Sequence, residues 1–154
     1  MEYMREYTIS VLNDLIDVCR DEYSLFNTAA KNIEDENLKP VFQKYICEKY
    51  EQIIKLESEV KRLGGTLRDT ILNVQTQQQD AFNNTPIILR ECIKKDYAVI
   101  NRYSSAIKED ILWEVIPLVA KQYFGSKSMH DQIFSIYKKF NQQVSTKLMS
   151  SAIS

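Results

Sequence analysis

The chain holds one histidine, in the stretch KSMHDQIFSIY from Lys127 to Tyr137. An imidazole can ligate a metal, move a proton, or sit as a hydrogen-bonded core residue. Dinuclear iron chemistry in a helical bundle takes one Glu from each of two helices and a Glu-x-x-His from each of the other two. The spacing of three sets both ligands on one helix face, and the carboxylates offset the charge of the ions. The corresponding positions in this chain read Tyr23 and Asp96, then Cys47-x-x-Tyr50 and Lys127-x-x-His130. Only Asp96 and His130 are competent ligands, and the ammonium of Lys127 would repel a cation. Glu22, Glu48, Glu51 and Glu57 lie nearby, on solvated flanks or the margins of apolar stripes. Two ligands do not hold iron firmly, so no metal and no cofactor is expected. Asp96 and His130 stay as weak metal candidates, with iron or another divalent metal as the alternative.

The competing reading is a polar layer inside a core. Tyr23, Tyr50, Asp96 and His130, with Tyr103 or Tyr123, could hydrogen-bond one another there. A buried aspartate needs such partners, because burying an unpaired charge is costly. Nothing else in the chain assembles a catalytic set. There is no glycine-rich phosphate loop, and the serines nearest His130 in sequence, Ser126 and Ser128, share its helix. Cys19, Cys47 and Cys92 are far apart in sequence, so they form no CxxC motif and read as small buried thiols in a reducing compartment. No catalytic residue is assigned, and the reading leans away from an enzyme.

Helices must position these residues. Three glycines and three prolines in 154 residues leave long uninterrupted stretches rich in Lys, Glu, Gln, Ile and Leu. Apolar residues recurring at three- and four-residue steps predict four helices, at about 8–33, 38–63, 86–109 and 113–144. Pro40 is tolerated in a first turn, and KRLGG at 61–65 is a stop: cations at the negative end of the helix, then glycine. Thr85 is the expected N-cap of the third helix. Pro117 should kink the start of the fourth, Gly125 interrupts its middle, and the last residues should fray. Short connections make the first and second helices antiparallel neighbours, and likewise the third and fourth.

The twenty residues from Gly65 to Asn84 differ. A helix of 26 residues is about 39 Å long, and twenty residues extend to about 66 Å. They can therefore cross the whole bundle. The expected fold is all-α: a single domain over 1–154, a ferritin-like four-helix bundle of two helical hairpins joined by a long crossover at 65–84. The hairpins also resemble each other, with DVCRDEYSLF in the first and RECIKKDYAV in the second. Such short matches arise by chance among amphipathic helices as readily as by descent. If they are real, His130 is the counterpart of Tyr50 and Asp96 of Tyr23.

At SVLNDLIDVCRDEYSLFNTAA, LKPVFQKY, EVKRLGGTL, LREC and MHDQI the chain resembles a bacterial domain-of-unknown-function family of ferritin-like four-helix bundles, from about Ile9 to Tyr137. The resemblance implies that fold and no established activity. A Gly-Glu pair commonly follows each of the two helix cysteines in that family. Here Glu22-Tyr23 and Lys95-Asp96 stand there instead, which weakens an imported metal role.

Twenty Lys and Arg against 21 Asp and Glu give a net charge of −1, so no electrostatic case exists for nucleic acid or an anionic membrane. ILWEVIPLVA is too short to span a bilayer, and a cytoplasmic location is expected. Three functional readings follow. The first is a non-catalytic bundle acting by self-association, as a homodimer or larger homo-oligomer, or by protein interaction. The second is a metal-dependent oxidase or storage protein. The third is a small-ligand pocket between the hairpins around Gly125, which Tyr123 would remove by filling it.

Overall fold

A computed structural model describes residues 2–68 and 84–153, with side chains through residue 143. Four helices, α1 (Glu2–Asn32), α2 (Lys39–Arg62), α3 (Thr85–Ile107) and α4 (Ile116–Ile153), form an all-α four-helix bundle. The described residues contain no strand. Helix α1 packs on α2 and on α3, and α3 packs on α4.

Two apolar clusters fix the topology. One joins Leu12, Leu15, Ile16 and Cys19 of α1 to Ile53, Leu56 and Val60 late in α2, Val99 and Tyr103 late in α3, and Val119 early in α4. The other joins Phe26, Ala29 and Ile33 to Phe42, Tyr45 and Ile46 early in α2, Ile88, Leu89 and Cys92 early in α3, and Met129 and Ile133 of α4. Each fully buried Leu, Ile or Phe is worth roughly 1.5–3 kcal/mol. Both clusters put the end of α2 beside the end of α3, so these helices run parallel. The chain must therefore travel the length of the bundle between them. Gly65 to Arg68 begin that path along α1: Asn13 Nδ2 donates to Thr66 O at 3.2 Å, and Arg68 pairs with Asp14 at 2.6 Å and Asp17 at 3.2 Å. The rest of the expected 65–84 crossover, at 69–83, lies outside the described residues.

The stop after α2 is built as its sequence suggests. Gly64 N–H donates to Lys61 O at 3.0 Å and Gly65 N–H to Val60 O at 2.8 Å, the paired bonds of a Schellman cap. Gly64 has φ +79°, and a Cβ on Gly65 would lie 2.7 Å from Ile9 Cγ2. One glycine serves backbone conformation and the other close approach.

The helix ends differ from expectation in four places. Helix α1 starts at Glu2, six residues early. Arg5 donates to Leu63 O at 2.7 Å, and Thr8 Oγ1 accepts from Leu112 N–H at 2.9 Å, so both neighbouring turns secure its first turns. The N-cap of α3 is Asn84 rather than Thr85. Helix α4 begins at Ile116 after a turn at 113–115, which puts Pro117 in the first turn, where it costs no hydrogen bond and need not kink the helix. It then continues through Gly125 to Ile153, since no second breaker follows.

Candidate functional site

Between the two apolar clusters the stripe of every helix is interrupted by a polar residue. Glu22 on α1, Lys49 on α2, Asp96 on α3 and Ser126 on α4 are each 0% exposed. The helical period puts them there. The buried positions run 15, 19, 22, 26, 29 on α1, continued by Ile33 just past its end, and 42, 46, 49, 53, 56, 60 on α2. On α3 they run 89, 92, 96, 99, 103, 106, and on α4 119, 122, 126, 129, 133. These are alternating steps of three and four, the seam of packed helices.

Lys49 Nζ lies 2.6 Å from Glu22 Oε1 and donates to Gln52 Oε1 at 2.8 Å. The first contact is a close ion pair with both side chains fully buried. Burial works against the ammonium, but the acidic groups around it, Glu22 first, together outweigh burial and hold the Lys49 pKa above its ordinary value. The Asp96 carboxyl also interacts with Glu22, and its Oδ2 lies 3.2 Å from His130 Nδ1. Burial first, then Glu22, push Asp96 up to about 9, against the lowering effect of Lys49. As two carboxylates, Glu22 and Asp96 have no donor for one another. With a proton on Asp96 their contact becomes a hydrogen bond.

A second chain of bonds leads away from Lys49. Gln122 Nε2 donates to the Gln52 carbonyl at 3.2 Å, Tyr103 OH donates to Gln122 Oε1 at 2.6 Å, and Tyr103 OH lies 3.2 Å from Cys19 Sγ. Burial pushes the Tyr103 phenol and the Cys19 and Cys92 thiols up, so none is an activated nucleophile.

The four residues expected in a polar layer separate. Asp96 and His130 are brought together. Tyr23 is half-buried, Tyr50 is 53% exposed, and their rings face each other at 6.0 Å at the bundle surface. Glu22 and Lys49, their immediate neighbours in sequence, take the interior positions. The residue matching Asp96 is accordingly Glu22, and Tyr97, whose ring lies 6.3 Å from that of His130, matches Tyr23. A three-residue step from Cys19 and a four-residue step from Cys92 reach the same face. Cys47 is exposed, unlike the buried Cys19 and Cys92.

Among the described residues no group of three or more His, Cys, Asp and Glu converges as a metal set. The residues fit a dinuclear centre poorly: two carboxyls and one imidazole share their space with an ammonium. Beside this layer α2 and α4 face each other across a groove of about 310 Å³. Gln52, Gln122, Gly125 and Met129 lie along it, with Lys44 and Lys121 among the charged residues lining it. Tyr123 packs instead on the first apolar cluster. No helix among the described residues is long and apolar enough to cross a membrane.

The protein is thus an all-α four-helix bundle with an ion-paired polar layer through its core. Residues 7–109 match the model of the family described as Domain of unknown function (DUF2383), and the chain belongs to that family. The matched span holds Glu22, Lys49 and Asp96 and ends before α4, so it stops short of the MHDQI piece of the resemblance traced to Tyr137. No curated protein matches the chain.

Proposed function

We propose that the protein is a ferritin-like bundle in which an internal ion pair stands where related architectures hold metal, and that it acts by association rather than by catalysis. One observation carries this reading: the ammonium of Lys49, wholly buried, sits 2.6 Å from Glu22 and supplies the positive charge a cation would bring. The topology supports the ferritin-like assignment, with two antiparallel hairpins, parallel α2 and α3, and one long connection. The other reading, an iron-type oxidase or storage protein using Asp96 and His130, requires a divalent ion to share the layer with that ammonium.

What remains for function is the outer surface. Tyr50 and Ile54 are exposed beside Tyr23 on one hairpin, and Tyr97 and Phe134 beside His130 on the other. Two similar aromatic strips on one molecule suit a symmetric homodimer or a larger homo-oligomer. The three free cysteines suit a reducing, cytoplasmic setting. The test is metal analysis of protein purified without chelator, together with light scattering on a sizing column. Substoichiometric iron, manganese and zinc with a dimeric or larger mass are expected. A stoichiometric metal overturns the ion-pair reading, and a strict monomer overturns self-association.

A further inference from the structure

We infer that the Glu22–Asp96 pair is an internal proton-binding site that opens to solvent through His130. The inference rests on the ion-pair reading of the same layer and goes beyond it in assigning the site a ligand and a route.

The argument begins with charge. Two carboxylates and one ammonium would leave a net negative charge where all three side chains are 0% exposed. An uncompensated buried ion costs several kcal/mol even after relaxation. One added proton makes the group neutral. Both oxygens of Asp96 and the Nδ1 of His130 lack a hydrogen-bond partner, while Lys49 pairs with Glu22 at 2.6 Å. The proton therefore belongs on Asp96, which can donate it to Glu22 and lies 3.2 Å from His130 Nδ1. The titratable groups facing Asp96 are Glu22 and Cys19 from α1, Lys49 and Tyr45 from α2, Cys92 on α3 itself, and His130 and Asp131 from α4. Lys49 is the one ammonium among the groups that act on Asp96, and Glu22 already pairs with it.

The route follows from exposure. On the Asp96 side of the cluster His130 reaches the surface, with a side chain 20% exposed, while on the Lys49 side Gln52 borders the groove between α2 and α4. The His130 ring lies between those of Tyr97 and Phe134, each at 6.3 Å, and its Nδ1 is 3.2 Å from Asp96 Oδ2. An imidazole carries two nitrogens on opposite edges, so one can face Asp96 while the other meets water. Above and below the layer stand apolar side chains, Cys92, Met129 and Ile133 of one cluster and Cys19, Ile53 and Val99 of the other.

Infrared difference spectroscopy on the full chain at neutral pH tests both parts. Wild type minus Asp96→Asn is expected to show the carbonyl band of a protonated carboxyl, shifting on transfer to heavy water. In His130→Phe the band should persist, and its exchange with heavy water should slow by about tenfold or more, because exchange then waits on local opening of the bundle. If Asp96→Asn does not fold, carboxyl-carbon NMR of wild type labelled at aspartate decides: one aspartyl resonance should hold its protonated position at neutral pH. Absence of a protonated carboxyl overturns the site, and unchanged exchange in His130→Phe overturns the route. A stoichiometric metal with no protonated carboxyl would overturn the ion-pair reading as well. Finding neither metal nor protonated carboxyl overturns the proton site alone.

Discussion

Replacing Asp96 with Asn should make the stability of the bundle far less sensitive to pH. In the folded chain the Asp96 carboxyl titrates at about 9, against an ordinary value of 3.8. The folded state therefore holds a proton that the unfolded state releases over the whole interval between. Stability from this group is fully present below about pH 4 and is lost as pH rises toward 9. One proton corresponds to about 1.4 kcal/mol per pH unit, so wild type should lose about 4 kcal/mol between pH 5 and pH 8 through Asp96 alone. That is a large part of the 5–15 kcal/mol typical of a domain. Asparagine cannot ionise, and its amide can donate to Glu22 as the protonated acid does. Near pH 5 the two proteins should be of similar stability, and at pH 8 the variant should be the more stable by about that 4 kcal/mol. Urea denaturation at several pH values measures this, provided the slope with denaturant stays constant. The comparison cancels the titrating groups that do not interact with Asp96. Parallel stability curves for the two proteins would refute a proton held at Asp96.

Three further perturbations probe the surroundings. Lys49→Met should cost about 3–5 kcal/mol, because it leaves Glu22 buried without its cation; adding Glu22→Gln should recover much of the loss in the same urea assay. Tyr103→Phe removes the hydroxyl between Cys19 and Gln122 and should cost about 1–3 kcal/mol through the stranded Gln122 oxygen, seen as a lower midpoint. The glycines should respond in opposite directions. Gly125→Ala should stabilise by up to about 1 kcal/mol, since its Cβ meets only Gln52 Nε2, at 3.7 Å. Gly65→Ala drives a Cβ to 2.7 Å from the branched Ile9 and should destabilise by about 1–3 kcal/mol.

The helices were legible because their ends are apolar and their breakers few. Phe26, Ile33, Phe42 and Ile53 announce the period without ambiguity. The middle was legible only in part, because each step of three or four offers a choice, and beside Glu22 and Lys49 stand Tyr23 and Tyr50. Hydrophobicity favours the tyrosines, while strict alternation from Leu15 and Cys19, or back from Ile53 and Leu56, lands on the charged residues. Asp96 was found because its neighbours Lys95 and Tyr97 lie off the line from Cys92 to Ile100. On α4 the buried line runs through Gln122, Ser126 and Met129, one residue before Tyr123, Lys127 and His130. A charge in a stripe looks like an error in register until its partner on another helix is known, and a single helix does not contain that partner.

The polar layer also explains why such an unfavourable arrangement can persist in the core of a small bundle. A buried ion pair is seldom a net source of stability, and a well-packed apolar replacement of similar volume can equal or exceed it. Its effect is on specificity. Glu22, Lys49 and Asp96 come from three different helices, and each needs the others at one level along the bundle axis. A shift of α3 against α1 by one turn, about 5.4 Å, would set Asp96 against the apolar residues around Phe26 or Cys19 and strand Lys49 and Glu22 in a charged pair without the third group. Apolar clusters of Leu, Ile, Val and Phe above and below tolerate such a shift far better, because their contacts are not directional. The layer therefore fixes the register of two hairpins whose covalent connection is long, which an all-apolar seam between α1 and α3 would leave weakly determined.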